Sequence, residues 1–241
     1  MRGVVLAGGL GTRLGELTKV CNKHLLPIGD EPMIYHPIKK LVGAEITDIM
    51  VIAGPEHVGQ FMSLLGSGKS LDCDLTYRVQ EEPKGIAHAL ALTEDFSKGD
   101  RIVVLLGDNI FQEPLFDLIN YADKESKDAQ VVLHWNDYPE RFGVADVSED
   151  GEIVDIIEKP VEPKSSWIVT GIYAYPPDVY SHIKKLKPSR RGELEISDVN
   201  YEYMKAGLLK HMYINNYWTD AGIPATYKLA NEYVSTFKPE F

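Results

Sequence analysis

The 241-residue sequence is poor in cysteine and has no long hydrophobic run. Its two cysteines, Cys21 and Cys73, lack the paired spacing of a zinc site, so each is predicted to be a small packed side chain, neither a metal ligand nor half of a disulfide. The first apolar run, residues 3–7, is too short for a secretion signal or a membrane span. These absences predict a soluble, cytoplasmic protein without a membrane segment.

Basic residues are also in the minority, with 25 lysines and arginines against 36 acidic residues and a formal net charge of −11. A general nucleic-acid-binding protein normally carries a basic face, so no nucleic-acid partner is expected. A small anionic substrate stays compatible with this charge, because a few basic groups focused in one cleft can attract it. The length and the hydrophobic content of 44% suit one large α/β domain, or one domain with a small appended lobe.

What the sequence does contain is a glycine-rich turn near its start. A short apolar run leads into Gly8, Gly9 and Gly11, and Arg13 follows directly. Glycine has no Cβ, so backbone N–H groups can approach a bound phosphate closely. Arg13 and Lys23 would add positive charge where a polyphosphate sits. The turn predicts a nucleoside triphosphate as ligand, and an ordinary strand-to-helix connection is the alternative.

Two common phosphate-binding motifs do not fit. The dinucleotide fingerprint requires a third glycine after Gly9 and Gly11, where this chain has Leu14. Residues 66–70 mimic the end of a Walker A loop, but Ser63 stands where that motif requires its first glycine. Residues 66–70 are therefore predicted to be a polar surface loop.

Short apolar runs alternate with helical periodicity in the first half of the chain. Strands are predicted at residues 3–7, 48–53, 75–80, 101–106 and 130–135, and helices at residues 33–42, 56–65, 86–95 and 114–124. Such alternation indicates an α/β fold whose mostly parallel sheet has helices on both faces. Ligands of such sheets bind beyond the carboxyl ends of the strands.

The pattern becomes richer in strands after residue 142. Strands are predicted at residues 144–147, 153–158, 167–175 and 209–214, and helices at residues 178–186, 196–206 and 224–234. We recognise no linker, repeat or low-complexity tract. The chain is therefore predicted to be one domain, residues 1–241, with a nucleotide-binding half at about 1–135 and an acceptor half at about 136–241.

Two aspartates are candidate metal ligands. Asp108 directly follows a buried strand, at the ligand-binding edge of the predicted sheet. There it could hold Mg²⁺, which prefers one or two carboxylates together with phosphate oxygens and water. Asp220, far away in the sequence, could be the second carboxylate. A helix cap is the alternative for Asp108, and a plain turn is the alternative for Asp220.

Other polar segments are candidates for substrate binding. Gln80, with Gly85 close behind, could read the imide edge of thymine or uracil, because a primary amide both donates and accepts. Lys159 could bind an anionic acceptor while Glu158 accepts hydrogen bonds from hydroxyls. The alternatives are an ordinary loop and a surface ion pair, and Arg191 taken alone suggests a solvated loop. We recognise no Ser/His/Asp or Cys/His nucleophile, which suits direct displacement at phosphorus.

Together and in this order, these segments resemble the sugar-1-phosphate nucleotidyltransferases, in particular the thymidylyl-transferring branch. The resemblance covers nearly the whole chain. It rests on Gly8-Gly9-Leu10-Gly11-Thr12-Arg13-Leu14, Lys23-His24-Leu25-Leu26-Pro27, Leu106-Gly107-Asp108-Asn109-Ile110-Phe111, Glu158-Lys159-Pro160, Arg191-Gly192-Glu193-Leu194-Glu195-Ile196 and Trp218-Thr219-Asp220-Ala221-Gly222. It implies a Rossmann-like nucleotidyltransferase fold with a mostly parallel, mixed sheet flanked by helices and a smaller sugar-binding, β-rich part.

The resemblance also implies a reaction: dTTP and α-D-glucose 1-phosphate give dTDP-glucose and pyrophosphate, with Mg²⁺ as cofactor and no covalent enzyme intermediate. It implies catalytic roles for Arg13, Lys23 and Asp108, and Mg²⁺ binding by Asp108 and Asp220. Implied nucleotide-binding residues are Leu6, Gly8, Gly9, Gly11, Thr12, Arg13, Lys23, Gln80 and Gly85. Implied sugar-phosphate-binding residues are Asn109, Gly143, Glu158, Lys159, Val169, Tyr173 and Arg191.

Two alternatives stay open. A uridylyltransferase acting on the same sugar phosphate is the first, since thymine and uracil differ by one methyl group, worth only about 1–3 kcal/mol of discrimination. The second is a non-catalytic nucleotidyltransferase-like module, which would be expected to have lost Arg13, Lys23 or Asp108. The resemblance further leads us to expect a homo-oligomer.

Overall fold

In the computed structural model, which describes residues 1–9, 11–119, 126–237, 239 and 241, strands and helices alternate along the chain. The strands are β1 (Arg2–Leu6), β2 (Pro27–Ile28), β3 (Glu31–Pro32), β4 (Asp48–Ala53), β5 (Asp74–Val79), β6 (Ile102–Leu106), β7 (Asn109–Phe111), β8 (Ala129–Trp135), β9 (Gly143–Val147), β10 (Ile153–Glu158), β11 (Trp167–Tyr175), β12 (Leu209–Tyr213) and β13 (Trp218–Asp220). The α-helices are α1 (Tyr35–Gly43), α2 (Val58–Leu65), α3 (Ile86–Ala91), α4 (Glu94–Ser97), α5 (Leu115–Ile119), α6 (Val179–Ile183), α7 (Ile196–Lys205) and α8 (Pro224–Thr236). Short 3-10 helices occupy Thr12–Thr18, Lys23–Leu25, Lys69–Leu71 and Pro139–Arg141.

The chain forms two compact units whose segments interleave in the sequence. Unit 1 consists of Met1–Pro83, Val104–Asp117 and Asn216–Phe241. Unit 2 consists of Lys84–Val103 and Leu118–Asn215. The predicted single domain, with a nucleotide-binding half at about 1–135 and an acceptor half at about 136–241, stays a prediction.

The parallel strands β1, β4 and β5 form the core of unit 1. Val4 lies opposite Met50, and Met50 lies opposite Thr76. Val4, Val5 and Val51 are fully buried. A strand covered on both faces selects such a continuous apolar run, which is why β1 and β4 could be recognised without polar alternation, whereas β5 is only partly buried.

The carboxyl ends of three strands meet at one edge of unit 1. The Gly107 N–H donates to the Leu6 carbonyl at 2.9 Å, which brings the end of β6 beside the end of β1. The glycine turn follows β1, Gln80 follows β5, and Asp108 follows β6. The prediction that these three segments lie beyond strand ends is confirmed.

Unit 2 is richer in antiparallel pairing. β10 pairs antiparallel with β9, and β11 pairs antiparallel with β8 and β9, while β12 runs parallel to β8. Helix α7 packs on β10, and α3, α6 and α7 pack on one another. The predicted strand-rich pattern after residue 142 is confirmed, as is the α/β class with a mixed sheet.

Two element predictions need correction, and two short strand pairs were not expected. The helix predicted at residues 86–95 is interrupted between α3 and α4, where the Thr93 hydroxyl donates to the Leu90 carbonyl at 2.8 Å and competes with the helical backbone pattern. The short pairs β2–β3 and β7–β13 were not expected, because strands of two or three residues carry no periodic signal. Of the helix predicted at 114–124, α5 covers Leu115–Ile119, and residues 120–125 lie outside the described residues. Residues 66–70 include the start of a 3-10 helix and the buried Gly68, so they are only partly a surface loop.

Both cysteines are free thiols, and Cys73 is buried. Burial, together with the neighbouring acidic groups Asp74 and Asp72, raises the pKa of Cys73 to about 11. The burial of Cys73 agrees with the prediction of a packed side chain, whereas Cys21 is half-buried. None of the helices within the described residues combines the length and apolar character needed to cross a membrane.

Candidate active site

Neighbouring side chains lie so close to the turn after β1 that its positions favour glycine. A Cβ on Gly8 would lie 2.8 Å from Oε1 of Gln80, whose side chain is buried against the turn. Gly11 has a φ of +67°, and its Cβ would lie 2.9 Å from the Cβ of Lys23. A Cβ on Gly9 would lie 3.5 Å from the Lys23 Cε. The turn is therefore packed against Gln80 on one side and against Lys23 on the other.

Lys23 and Asp108 form a buried ion pair in unit 1. The Lys23 Nζ donates to Asp108 Oδ2, and each residue is 8% exposed. Burial alone would raise the pKa of the Asp108 carboxyl, but the charge of Lys23 and the hydrogen bonds from Lys23 and Asn109 hold it well below its usual value. Asp108 is therefore a carboxylate throughout the physiological pH range, as a metal ligand must be.

Three charged groups surround the backbone of Gly222, just after β13. Its would-be Cβ position lies 3.3 Å from Oδ2 of Asp108, 3.3 Å from Oδ2 of Asp220 and 3.8 Å from Nη2 of Arg13. The two carboxylate oxygens are thus at most twice 3.3 Å apart. We call this space the Gly222 gap, since it exists because residue 222 has no side chain.

The two carboxylate oxygens that face the Gly222 gap are ligands of the kind that Mg²⁺ prefers. Mg²⁺ takes one or two protein carboxylates and fills its other positions with water and substrate phosphates. Within the described residues, no group of three or more histidine, cysteine or acidic side chains could hold a metal ion, so a fully protein-built cage is not available there. Lys23 already pairs with the same Asp108 oxygen that faces the gap, and a cation would share that oxygen with it.

The β7–β13 pair sets Asp220 beside Asp108. In its antiparallel register Asp220 lies opposite Asn109, the neighbour of Asp108. The indole N–H of Trp218 can only donate, and it donates to Oδ1 of Asn109 at 2.8 Å. The Asn109 Nδ2 is thereby directed to Asp108 Oδ1 at 3.3 Å. Asn109, predicted to contact the sugar, is 1% exposed and is held at both ends of its amide.

Three residues of unit 2 surround Gly143. Its would-be Cβ lies 2.8 Å from Oγ of Ser197, 3.4 Å from Oε2 of Glu158 and 3.8 Å from the Cβ of Val169. The Ser197 hydroxyl donates to Glu158 at 2.5 Å. The structure therefore brings together three of the predicted sugar-binding residues, Gly143, Glu158 and Val169.

The predicted phosphate-binding arginine is held by acidic side chains of unit 2. Arg191 donates through Nε to Glu195 Oε1 at 3.1 Å and through Nη2 to Glu195 Oε2 at 2.7 Å. Glu193 and Glu158 lie 3.3 and 3.6 Å from Nη2. Burial alone would raise the pKa of Glu195, but hydrogen bonds from Arg191 and Ser189 lower it. A sugar phosphate at Arg191 would compete with this carboxylate.

The other predicted residues lie in varied settings. Lys159 has a φ of +44°, which a residue with a side chain seldom adopts, and its Nζ lies 3.6 Å from Glu158 Oε1. Tyr173 is buried on β11 and stacks with Tyr175. Leu6 ends β1, and Thr12 is exposed at the start of its 3-10 helix.

Gly85 is required by its contact with Leu194. It has a φ of +100°, and its would-be Cβ lies 2.4 Å from the Leu194 carbonyl oxygen and 2.9 Å from the Leu194 nitrogen. Lys84 O accepts from Leu194 N at 2.8 Å, and Ala87 N donates to Leu194 O at 3.2 Å. The structure thus gives Gly85 a packing role beside its predicted nucleotide contact.

Replacing Gly85 with alanine is expected to lower the free energy of unfolding by roughly 2–5 kcal/mol, because the new Cβ meets backbone atoms and the φ is unfavourable. Chemical denaturation measures the loss. Gly151→Ala is the matched control: Gly151 has a φ of +80° and open space around its would-be Cβ, so about 1–2 kcal/mol is expected. Equal losses in the two variants would contradict the Leu194 contact as the cause.

Several residues of these clusters were not predicted. Asn22 and His24 lie buried beneath the glycine turn, and Glu195 and Ser197 hold Arg191 and Glu158. Asn22 and His24 flank the predicted Lys23, and that position was the only signal available in the sequence. Asn22 bonds to the turn 13 and 15 positions away, and Ser197 bonds to Glu158 across 39 positions, so the sequence alone does not indicate these contacts.

A glycine turn, a buried lysine–aspartate pair and a carboxylate-lined gap lie at the strand ends of an α/β protein, where proteins of this class bind their ligands. A model of the family described as nucleotidyl transferase matches residues 2–236. The chain belongs to the nucleotidyl transferase family.

Named relatives are similar over nearly the whole chain. A glucose-1-phosphate thymidylyltransferase of Neisseria meningitidis serogroup A / serotype 4A is 41% identical over 98% of this chain and 83% of the relative. One of Xanthomonas campestris pv. campestris (strain B100) is 40% identical over 98% of this chain and 81% of the relative. A crystal structure from Bacillus anthracis, of a candidate glucose-1-phosphate thymidylyltransferase in complex with sucrose, matches with a TM-score of 0.93 and 50% identity over 100% of this chain and 97% of that one.

Proposed function

We propose that this nucleotidyltransferase transfers a thymidylyl group from dTTP to α-D-glucose 1-phosphate. A phosphate oxygen of the sugar phosphate forms a bond to the α-phosphorus of dTTP. The bond from that phosphorus to the bridging oxygen breaks, and its electron pair leaves with pyrophosphate. The products are dTDP-glucose and pyrophosphate, and no covalent enzyme intermediate is needed.

The residues of unit 1 would bind the triphosphate. Lys23 and Arg13 supply positive charge that offsets the charge of the transferring and leaving phosphates. Gln80 lies against Gly8, where an amide that both donates and accepts can pair with the imide edge of a pyrimidine. The turn glycines allow a ligand to approach the backbone closely.

Asp108 and Asp220 would hold Mg²⁺ at the Gly222 gap. When bound, the ion supplies further positive charge for phosphate oxygens. Since the pKa of Asp108 is held low, this carboxylate needs no deprotonation before it binds a cation.

The residues of unit 2 would bind the acceptor. Glu158 can accept hydrogen bonds from sugar hydroxyls beside Gly143, where the absence of a side chain lets Ser197 and Glu158 approach the backbone closely. Lys159 and Arg191 would bind the phosphate of the sugar. Since Arg191 is held by Glu195 at Nε and Nη2, its orientation is fixed before a ligand arrives.

The observation that carries this proposal is the Gly222 gap, where two carboxylates and an arginine converge beside the buried Lys23–Asp108 pair. The relatives named for this reaction, similar over 98% of the chain, support the choice of substrates. The cytoplasmic location and the homo-oligomeric state stay predictions.

A panel of nucleotides with glucose 1-phosphate tests the proposal. Pyrophosphate release with dTTP is expected to be fastest, with kcat/KM for UTP lower by about 10- to 200-fold, since one methyl group separates the bases. ATP and CTP are expected to react far more slowly, because their bases lack the imide edge. Chelation of divalent ions by EDTA is expected to abolish release in every case.

Gln80→Glu is the companion variant. A carboxylate accepts but does not donate, so the variant should lose kcat/KM for dTTP and UTP alike. A preference for ATP or CTP in the native protein would overturn the base-reading role of Gln80. Undiminished turnover in EDTA would contradict the proposed metal requirement. The absence of turnover with every nucleotide would favour a non-catalytic module.

A further inference from the structure

Asn22 is a fully buried amide that holds the glycine turn from beneath. Its Nδ2 donates to the carbonyls of Ala7 at 3.2 Å and Gly9 at 3.4 Å, and its Oδ1 accepts from the backbone N–H of His24 at 2.9 Å. Carbonyls only accept and a backbone N–H only donates, so these partners fix which way the amide points. One side chain thus ties the turn to the segment that carries Lys23.

The contact to Ala7 also sets the direction of the Gly8 N–H. The peptide bond between Ala7 and Gly8 is trans, and in a trans peptide the carbonyl and the following N–H point in opposite directions. Because the Ala7 carbonyl is directed to Asn22, the Gly8 N–H is directed away from it. Within the described residues, the protein's hydrogen bonds do not use this N–H. It is therefore available to an anion on the outer side of the turn.

His24 extends this support to the end of β6. Its Nδ1 lies 2.6 Å from Asn22 Oδ1, and since that oxygen only accepts, Nδ1 carries the proton. The other side of the ring packs on Gly107, whose would-be Cβ would lie 2.7 Å from His24 Cδ2. Gly107 directly precedes Asp108. Residues 22–24 therefore connect the phosphate turn, Lys23 and Asp108.

We infer that Asn22 is a positioning residue for nucleoside triphosphate binding. It holds the glycine turn with the Gly8 N–H outward and fixes the backbone from which Lys23 reaches Asp108. Serine or alanine at this position would leave one or both turn carbonyls without their donor, and aspartate would place an acceptor against them. The inference rests on the proposed function, because it takes dTTP as the ligand of the turn.

The test compares Asn22→Ala with Asn200→Ala. Asn200 is likewise fully buried, and in unit 2 it accepts from the Tyr175 hydroxyl at 2.6 Å, so both variants lose a buried amide. At a temperature where both are folded, Asn22→Ala is expected to weaken dTTP binding about tenfold, the effect of losing one or two hydrogen bonds. Its KM for dTTP should rise while its KM for glucose 1-phosphate stays within about twofold, since the described hydrogen-bond partners of Asn22 belong to unit 1.

Asn22→Ser provides a second variant, because one hydroxyl can donate to one of the two carbonyls, and an intermediate dTTP affinity is expected. Native affinity in Asn22→Ala, or an equal loss in Asn200→Ala, would overturn the inference. Amide hydrogen exchange at Ala7 and Leu14 without ligand gives an independent measurement, because these N–H groups at the two ends of the turn donate to the carbonyls of Ile52 and Gly11. If the native protein fails to bind dTTP, the proposed function is wrong. Faster exchange in Asn22→Ala than in Asn200→Ala would still support the inference that Asn22 holds the glycine turn. Equal exchange in the two variants overturns it.

Discussion

Replacing Asp108 with asparagine is expected to lower the rate of pyrophosphate release by about 10²–10³-fold. The variant keeps the shape of the side chain but loses a charge that faces both Lys23 and the Gly222 gap. A neutral amide is a poor ligand for Mg²⁺, and its NH₂ group cannot accept from Lys23. The free energy of unfolding should also fall, by roughly 3 kcal/mol, because Lys23 is left buried without its counter-charge.

Asp178→Asn is the matched control for this variant. Asp178 accepts a hydrogen bond from the Tyr203 hydroxyl at 2.6 Å in unit 2, whereas both predicted metal ligands belong to unit 1. Its turnover should stay near the native rate. Both variants are to be assayed at a temperature where circular dichroism shows them folded. Release at the full rate in Asp108→Asn would remove the metal assignment and the role of the buried pair together.

Acidification below pH 6.5 is expected to destabilise the protein through His24. Burial, followed by the charge of Lys23, lowers the pKa of His24 from 6.5 to about 3. Between these two pKa values His24 is protonated in the unfolded chain but neutral in the folded protein. The free energy of unfolding therefore falls as pH falls. The slope for one such group is about 1.4 kcal/mol per pH unit, or roughly 2 kcal/mol between pH 6.5 and pH 5.

His24→Gln isolates this contribution. Burial also lowers the pKa values of His36 and His211, so the native protein combines several histidines, and the difference between native and variant reports His24. Denaturation series between about pH 5 and pH 7 stay above the pKa of 3.8 that Asp108 has in the unfolded chain, and the stability that this carboxylate contributes is lost only as pH falls to that value and below. A stability curve of His24→Gln that runs parallel to the native curve would contradict this prediction.

Much of the fold could be predicted from the sequence because its main strands are continuous apolar runs. Strands β4, β10 and β11 lie at the predicted bounds. Strands β7 and β13 could not be found in this way. They have three residues each and form by pairing with one another, and Asn109 is 109 positions from the Trp218 that binds it. Only the folded chain supplies that partner.

The candidate site divides in the same way. Lys23, Asp108 and Asp220 were predictable because charged side chains stood in recognisable motifs. Asn22 and Glu195 were not, because an isolated asparagine or glutamate has many ordinary roles and its meaning comes from its contacts. The glycines are an intermediate case. The sequence shows where they are, but only the structure shows which neighbouring atoms exclude a side chain there.

The interleaved segments of unit 1 have a consequence for the newly made chain. The Lys23–Asp108 pair is encoded in the first half, whereas Asp220 and Gly222 belong to Asn216–Phe241 and leave the ribosome only after the whole of Leu118–Asn215. At roughly 5–20 residues per second, a nascent chain spends about ten seconds with Asp108 made and its partner carboxylate still missing. The Gly222 gap is thus among the last features to form, and a half-synthesised chain lacks the second carboxylate of the proposed metal site.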